Sequence, residues 1–144
     1  MRKFNFGIVV VLFAGLIAGT ASAADFEKLM TVNVPFAFEV GKDTLPAGAY
    51  EILGLSGRNV MWIKSQNGAK VGFASTIPTR ESKYTDNSAL VFTRYGDNYF
   101  LSKVLLAGQH DSKVLRKSQR EIELAQLAQS GKTSGVRVVA AANR

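Results

Sequence analysis

The chain has 144 residues, a formal net charge of +7 and no cysteine. It is long enough for one domain with its own hydrophobic core, and its composition excludes disulfide bonds and cysteine-ligated metal sites. A single histidine also excludes the usual zinc-ligand spacings, so we expect no metal and no other cofactor.

The N-terminus has the three parts of a secretory signal peptide. Met1–Lys3 is cationic, Phe6–Thr20 is apolar and uncharged, and Ala21-Ser22-Ala23 is a small-residue cleavage site. A retained membrane anchor is the alternative, but the cleavable tripeptide favours removal. We predict a signal peptide over residues 1–23 and cleavage near Ala23. The mature protein would be periplasmic or secreted, with no retained transmembrane segment.

The positive charge lies mainly at the C-terminal end. Cleavage removes Arg2 and Lys3 and lowers the formal net charge to +5, with most of the excess in residues 111–144. A basic end indicates a solvated surface first and weak attraction to anionic envelope material second. The basic residues are not interleaved with aromatic ones, so we expect no nucleic-acid partner.

The first predicted strand covers Val32–Val40, where apolar and mostly polar residues alternate. Pro35 cannot donate a ladder hydrogen bond, so this strand should lie at an edge or lose its pairing there. The preceding charged segment, from Ala24 to Thr31, suggests at most a turn of helix over Phe26–Met30.

Hairpin-forming strands and turns follow along the chain. The predicted strands are Tyr50–Leu55, Val60–Ser65, Lys70–Ser75, Ala89–Tyr95 and Tyr99–Leu106. Asn67-Gly68 favours a type I′ turn, and Gly96-Asp97-Asn98 predicts another hairpin loop. The polar segment Ile77–Ser88 is interpreted as the longest loop. Tyr50–Leu55 and Val60–Ser65 are apolar on both faces, so each face needs a covering layer.

The pattern changes towards the C-terminus. Lys113–Lys117 is a candidate for a last short strand, and Ser118-x-x-Glu121 is a capping box that predicts a helix over Gln119–Gln129. The helix should pack on a sheet face. Its expected buried residues are Ile122, Ala125, Leu124 and Ala128. Residues 24–130 thus form a single β-domain with a C-terminal helix, and residues 131–144 are a linker followed by a tail or an extra edge strand.

The predicted fold class is mainly β. Turns at short, regular intervals indicate an antiparallel meander of about six to eight strands, closed as a small barrel or packed as a sandwich, with one C-terminal α-helix. If the sheet closes, aromatic residues can line a ligand pocket, for which the candidates are Tyr50, Trp62, Phe73 and Phe92. If it is a sandwich they fill the core, which is the commoner role of aromatics in small β-domains.

No residue pattern predicts a catalytic site. His110 lies beside Asp111 without a G-x-S-x-G or comparable nucleophile frame, so an exposed loop histidine is expected. Other motifs have simpler explanations as turns, solvated charges or chance matches. These are Asp86-Asn87 and Asp97-Asn98 as calcium ligands, Glu39 with Glu51 and Glu121 with Glu123 as acid/base pairs, and Gly131-Lys132-Thr133 as a phosphate loop.

Four motifs together resemble a group of small exported proteins found mainly in soil bacteria. They are V-P-F-x-F-x-V-G from Val34, L-P-A-G-x-Y from Leu45, the segment Tyr99–Val104, and Lys117-Ser118-x-x-Glu121. The resemblance covers Val32 to about Ala128. It implies no activity, substrate or cofactor, so it assigns no functional residue.

These observations favour a non-enzymatic exported β-domain with a binding or structural role in the cell envelope or outside the cell. Its partner would be an envelope protein, an anionic envelope surface or a small apolar ligand. The alternative function is a barrel that carries a small apolar ligand. A weaker alternative is a hydrolase that uses the acidic residues of Ile77–Ser88, Glu81 among them.

Overall fold

The computed structural model describes residues 25–69, 71–131 and 135–142, which form ten β-strands and one α-helix. In chain order the elements are β1 (Phe26–Val34), β2 (Phe38–Val40), β3 (Asp43–Leu45), β4 (Gly48–Leu55), β5 (Val60–Ser65), β6 (Val71–Arg80), β7 (Ala89–Tyr95), β8 (Asn98–Leu105), β9 (Asp111–Leu115), α1 (Gln119–Ser130) and β10 (Val136–Ala141). Strands make up 58% of the structure, so the mainly β prediction with one C-terminal helix is confirmed. The strand number was underestimated. The predicted signal peptide, residues 1–23, lies outside the described residues.

The predicted first strand is two strands. Strand β1 begins at Phe26, where a helical turn was suggested, and its buried Met30, Val32 and Val34 continue a period of two residues. Pairing stops at Pro35, as predicted from its missing N–H, and β2 resumes at Phe38. The suggested turn of helix was therefore wrong, because residues 26–28 extend the antiparallel pairing with β4, and the register shifts between Lys28 and Met30.

Strands β1, β4, β5 and β6 pair in antiparallel order. The predicted hairpins form, but the Asn67-Gly68 turn is offset from its predicted position. The Gly68 N–H donates to the Ser65 carbonyl at 2.9 Å, so Gln66 and Asn67 are its central residues, and Gly68 follows with φ +74°. The Asn67 side chain accepts from the Ala69 N–H at 3.2 Å, which fixes the loop.

Strand β6 is longer than predicted. Its first half pairs with β5, and residues 76–80 pair with β9, so the start of the expected loop Ile77–Ser88 is strand. The loop prediction was wrong there because the apolar pattern ends before the pairing does. Pro78 is tolerated because, among the described strands, this half of β6 pairs on one side only.

The sheet is mixed and does not close into a barrel. Its order is β1-β4-β5-β6-β9-β8-β2-β3, with β7 between β8 and β10. Strand β2 runs parallel to β8 where Glu39 meets Phe100. A bridge between Val32 and Ala142 links β1 to the residue that follows β10. Of the two predicted forms, the structure is consistent with the sandwich, and its C-terminal segment forms a strand that pairs with β7.

The core lies on the inner faces of the sheet. Fully buried side chains on seven strands form one cluster; the largest are Tyr50, Phe38, Phe92, Leu45, Ile52, Met61, Ile63 and Leu90. Burial of this apolar area supplies the stability that a cysteine-free chain needs.

Helix α1 begins where the capping pattern predicts. The Ser118 Oγ accepts from the Glu121 N–H at 3.1 Å. The predicted burial is partly wrong, since Ile122 is exposed and the buried residue is Glu121. The helix contacts β7 instead of covering the outer face of β4 and β5.

Candidate binding surface

The four residues predicted to line a pocket lie on opposite sides of the sheet. Tyr50 and Phe92 are buried, and each packs edge-to-face on Phe38, with ring centroids 5.3 and 5.2 Å apart. The Tyr50 hydroxyl donates to the Pro46 carbonyl, and burial raises the pKa of Tyr50. These two residues belong to the filled core.

Trp62 and Phe73 are on the outer face, 38% and 48% exposed. Their centroids are 5.9 Å apart, and Phe26, 45% exposed, extends the row with its centroid 5.4 Å from Trp62. We call these three rings the aromatic strip. The predicted four-residue pocket was wrong, because β5 and β6 direct Met61, Ile63, Gly72 and Ala74 inward and so place Trp62 and Phe73 on the opposite face.

Charged residues on the same strand face as Trp62 could have revealed this orientation. Lys64 follows Trp62 by two residues, and Glu51 precedes Leu53, which is the cross-strand partner of Trp62. Side chains two apart on a strand lie on the same face, so two charged groups marked this face as the solvent side. The apolar residues on both faces obscured the signal.

Lysines outnumber acids next to the strip. Lys28 Nζ lies 2.9 Å from Glu51 Oε1, and Lys64 is the cross-strand partner of Glu51. The hydrogen bond from Lys28, its charge and the charge of Lys64 lower the pKa of Glu51. Glu51 stays ionised and cannot neutralise both lysines.

A groove of about 790 Å³ lies next to the strip. Residues 73–75 of β6, the β2–β3 hairpin and residues 116–120 line it, and Phe73 belongs to both groove and strip. Its basic side chains are Lys42, Arg116, Lys117 and Arg120, against Glu39 and Asp43. We call it the cationic groove.

Close contacts hold the walls of the groove together. A Cβ added to Gly41, which has φ +60°, would lie 3.2 Å from the Phe73 carbonyl oxygen, so the β2–β3 turn fits tightly against β6. On the other side, Arg120 Nε is 3.4 Å from Glu39 Oε1, and Arg120 also donates to Asn98 Oδ1 at 3.2 Å. The walls are therefore held before any ligand binds.

Glu121 lies behind this wall with an unusual environment. Glu121 is 3% exposed, and its Oε1 has no hydrogen-bond partner among the described residues. Burial raises the pKa of Glu121, Glu39 raises it further, and Lys117 opposes the change. The Glu121 carboxyl group of the predicted capping box is therefore turned inward. Glu121 and Glu123 form no acid/base pair, since Glu123 is exposed and its carboxylate accepts a hydrogen bond from Gln119.

Glu81, the candidate hydrolase residue, connects three elements. Its Oε1 accepts from Lys103 Nζ on β8 and Ser112 Oγ on β9, both at 2.6 Å. These hydrogen bonds, and the charges of Lys103 and Arg137, lower the pKa of Glu81. A carboxylate held in this way is suited to joining the end of β6 to its neighbours and is poorly suited to donating a proton.

The remaining candidates are not brought together into a reactive site. His110 is exposed and packs edge-to-face on Tyr84, with centroids 5.1 Å apart. Glu39 pairs with Arg120 and Glu51 with Lys28. Asp97 is exposed and lies 3.6 Å from Arg94, and the described residues contain no group of three or more His, Cys, Asp or Glu that could hold a metal ion.

Two further predictions concern the ends of the structure. Gly131 ends α1 rather than following a strand, and the rest of the suspected phosphate loop, Lys132 and Thr133, lies outside the described residues. Helix α1 spans twelve residues, and within the described part of the chain no helix has the length and hydropathy of a membrane span.

Comparison with known proteins gives no match. No protein-family model, curated protein or solved structure is significantly similar to the chain.

Proposed function

We propose that this protein is a non-enzymatic exported protein that binds anionic membrane surfaces through its aromatic strip. The observation that carries the proposal is the row of Phe26, Trp62 and Phe73 on the solvent face of the sheet. Exposed aromatic residues grouped on one face mark interaction surfaces more often than single exposed residues do.

The chemistry of the strip suits the interfacial region of a bilayer. Tryptophan and phenylalanine side chains are favourable at the boundary between head groups and acyl chains. Three partly exposed rings on one face can enter that boundary together without a change in the fold. Each ring would bury apolar area that now faces water, worth about 25 cal/mol per Å².

The charge next to the strip complements an anionic membrane. Lys28 and Lys64 flank the single Glu51, and the cationic groove is at the Phe73 end. A basic residue near an anionic leaflet contributes about 1 kcal/mol, which adds to the apolar contribution of the rings. The two contributions together favour anionic over zwitterionic lipid.

The other hypotheses have less support from the described residues. A carrier of an apolar ligand needs a cavity, but Tyr50 and Phe92 are packed within the core. A hydrolase that uses Glu81 needs an available carboxyl group, but that group accepts from Lys103 and Ser112.

Vesicle co-sedimentation tests the proposal. We expect the mature protein to bind vesicles of phosphatidylcholine mixed with phosphatidylglycerol and to bind pure phosphatidylcholine vesicles weakly. Trp62 is the only tryptophan in the chain, so its emission should shift to shorter wavelength when anionic vesicles are added.

A matched pair of variants identifies the surface. Replacing Trp62 and Phe73 by Ser should weaken vesicle binding by more than about tenfold, which corresponds to 1.4 kcal/mol. The control replaces Leu127 on α1 and Val139 on β10 by Ser, since these are 67% and 54% exposed and lie outside the strip. Equal loss in both variants, or wild-type binding that is the same on both lipids, would refute the proposal.

A further inference from the structure

The cationic groove opens beside the aromatic strip because Phe73 is part of both. A protein that inserts Trp62 and Phe73 into the interfacial region therefore brings the groove to the depth of the lipid head groups. Basic pockets at that depth are suited to phosphate-bearing head groups.

Two of the basic side chains in the groove are not engaged in the described structure. Arg120 is paired with Glu39, and Lys117 Nζ donates to the Tyr95 hydroxyl at 3.4 Å. Lys42 and Arg116 are exposed and form no ion pair with any described residue. They give the groove positive charge that an anionic ligand can neutralise.

The groove also has the size and rigidity of a ligand site. A volume of about 790 Å³ is within the range of small-molecule pockets. The contact of Gly41 with β6 and the Arg120–Glu39 pair fix its walls, so the conformational freedom lost on binding is mainly that of the exposed Lys42 and Arg116 side chains. Phe73 gives it an apolar side towards the strip.

We propose that the cationic groove binds the head group of an anionic phospholipid, with Lys42 and Arg116 contacting the phosphate. An arginine guanidinium can donate two parallel hydrogen bonds to a phosphate, and lysine acts as a point charge. This inference rests on the proposed membrane binding for its choice of ligand and extends it from attraction to a surface to recognition of a single lipid.

The test uses the mature chain and lipids that do not form bilayers. Isothermal titration calorimetry is carried out with dihexanoyl phosphatidylglycerol, dihexanoyl phosphatidylcholine and inorganic phosphate, each lipid below its critical micelle concentration. We expect binding of the phosphatidylglycerol, weaker binding of inorganic phosphate at the same groove, and little binding of the phosphatidylcholine. If inorganic phosphate binds as tightly as the phosphatidylglycerol, the ligand is a free anion and the lipid assignment is wrong.

The variant Lys42→Gln/Arg116→Gln removes the two available charges. Its control, Arg58→Gln/Lys83→Gln, has the same net charge and changes two exposed basic residues outside the groove. We expect the groove variant to bind dihexanoyl phosphatidylglycerol at least about tenfold more weakly and the control to be unchanged. Equal affinity in the two variants overturns the inference.

The same variants separate this inference from the proposed function. If both variants bind anionic vesicles equally and neither changes binding of the soluble lipid, the groove assignment fails while surface binding stands. If wild-type protein binds the soluble lipid through Lys42 and Arg116 but does not sediment with anionic vesicles, the proposal that the groove binds an anionic lipid stands. The proposal that the aromatic strip binds membranes then fails.

Discussion

The contacts of Glu81 predict a pH-dependent contribution to stability. Glu81 Oε1 accepts from Lys103 Nζ and Ser112 Oγ at 2.6 Å, and the side chains of Glu81 and Lys103 are each 26% exposed. A hydrogen bond to a charged group contributes about 1.5–3 kcal/mol, and partial exposure reduces this through solvent screening. We expect Glu81→Gln to lower the free energy of unfolding by about 1–2 kcal/mol at neutral pH.

The sign of the pH dependence follows from the lowered pKa of Glu81. Its contribution is fully present above the pKa of the unfolded chain, about 4.3, and is lost as the pH falls through the lower pKa of the folded state. The difference between wild type and Glu81→Gln should therefore shrink in acid, where both side chains are uncharged.

Urea unfolding followed by far-UV circular dichroism measures this difference. With an m-value of about 2 kcal/mol/M, the expected loss lowers the midpoint by roughly 0.5–1 M near neutral pH. Glu27→Gln is the control, because Glu27 is exposed and is in no ion pair within the described residues. A Glu81→Gln midpoint equal to that of the control, or a deficit that persists unchanged in strong acid, would refute the reasoning.

Three further substitutions test the packing around the groove. Glu121→Gln should be more stable than wild type at neutral pH, and the two proteins should become equally stable in acid. The reason is that burial raises the pKa of Glu121, so its ionisation costs stability as the pH rises. A difference between the two urea midpoints that stays constant across pH would contradict this. Ser118→Ala should cost about 1 kcal/mol in urea unfolding and Ser118→Asp much less, since both Ser and Asp can cap α1. Gly72→Ala should cost about 1–3 kcal/mol, because the new Cβ would lie 3.0 Å from Leu45 Cδ1, and an unchanged thermal midpoint would show that Leu45 moves without cost.

The local elements were largely predictable from the sequence. The hairpin that joins β7 to β8 turns at Gly96, which has φ +61°, and its cross-strand partners Tyr95 and Asn98 are close in sequence. Ser118 likewise caps α1 through an N–H three residues away. In each case the interacting residues are near neighbours in the chain, so the pattern of residues contains the structural information.

The long-range pairings were not predictable in this way. Strand β2 lies parallel to β8 through one register pair, Glu39 with Phe100, and residues 76–80 leave β5 to pair with β9. These contacts join segments far apart in sequence and have no local signal. The same limit applies to the cationic groove, since Lys42 and Arg116 come from segments that only the assembled sheet brings together.

Strand β6 connects the fold to the proposed function. Its inward residues next to the β2–β3 hairpin are the small Gly72 and Ala74, and Leu45 packs where a larger side chain at residue 72 would lie. Its large apolar residues, Val71 and Phe73, are directed outward, 44% and 48% exposed. Core packing explains the small inward residues but gives no reason for the large outward ones, because the core is filled without them. Their position is explained if the outer face of the strand is used for binding, and this is the reason to look for the function at the strip and groove rather than inside the sheet.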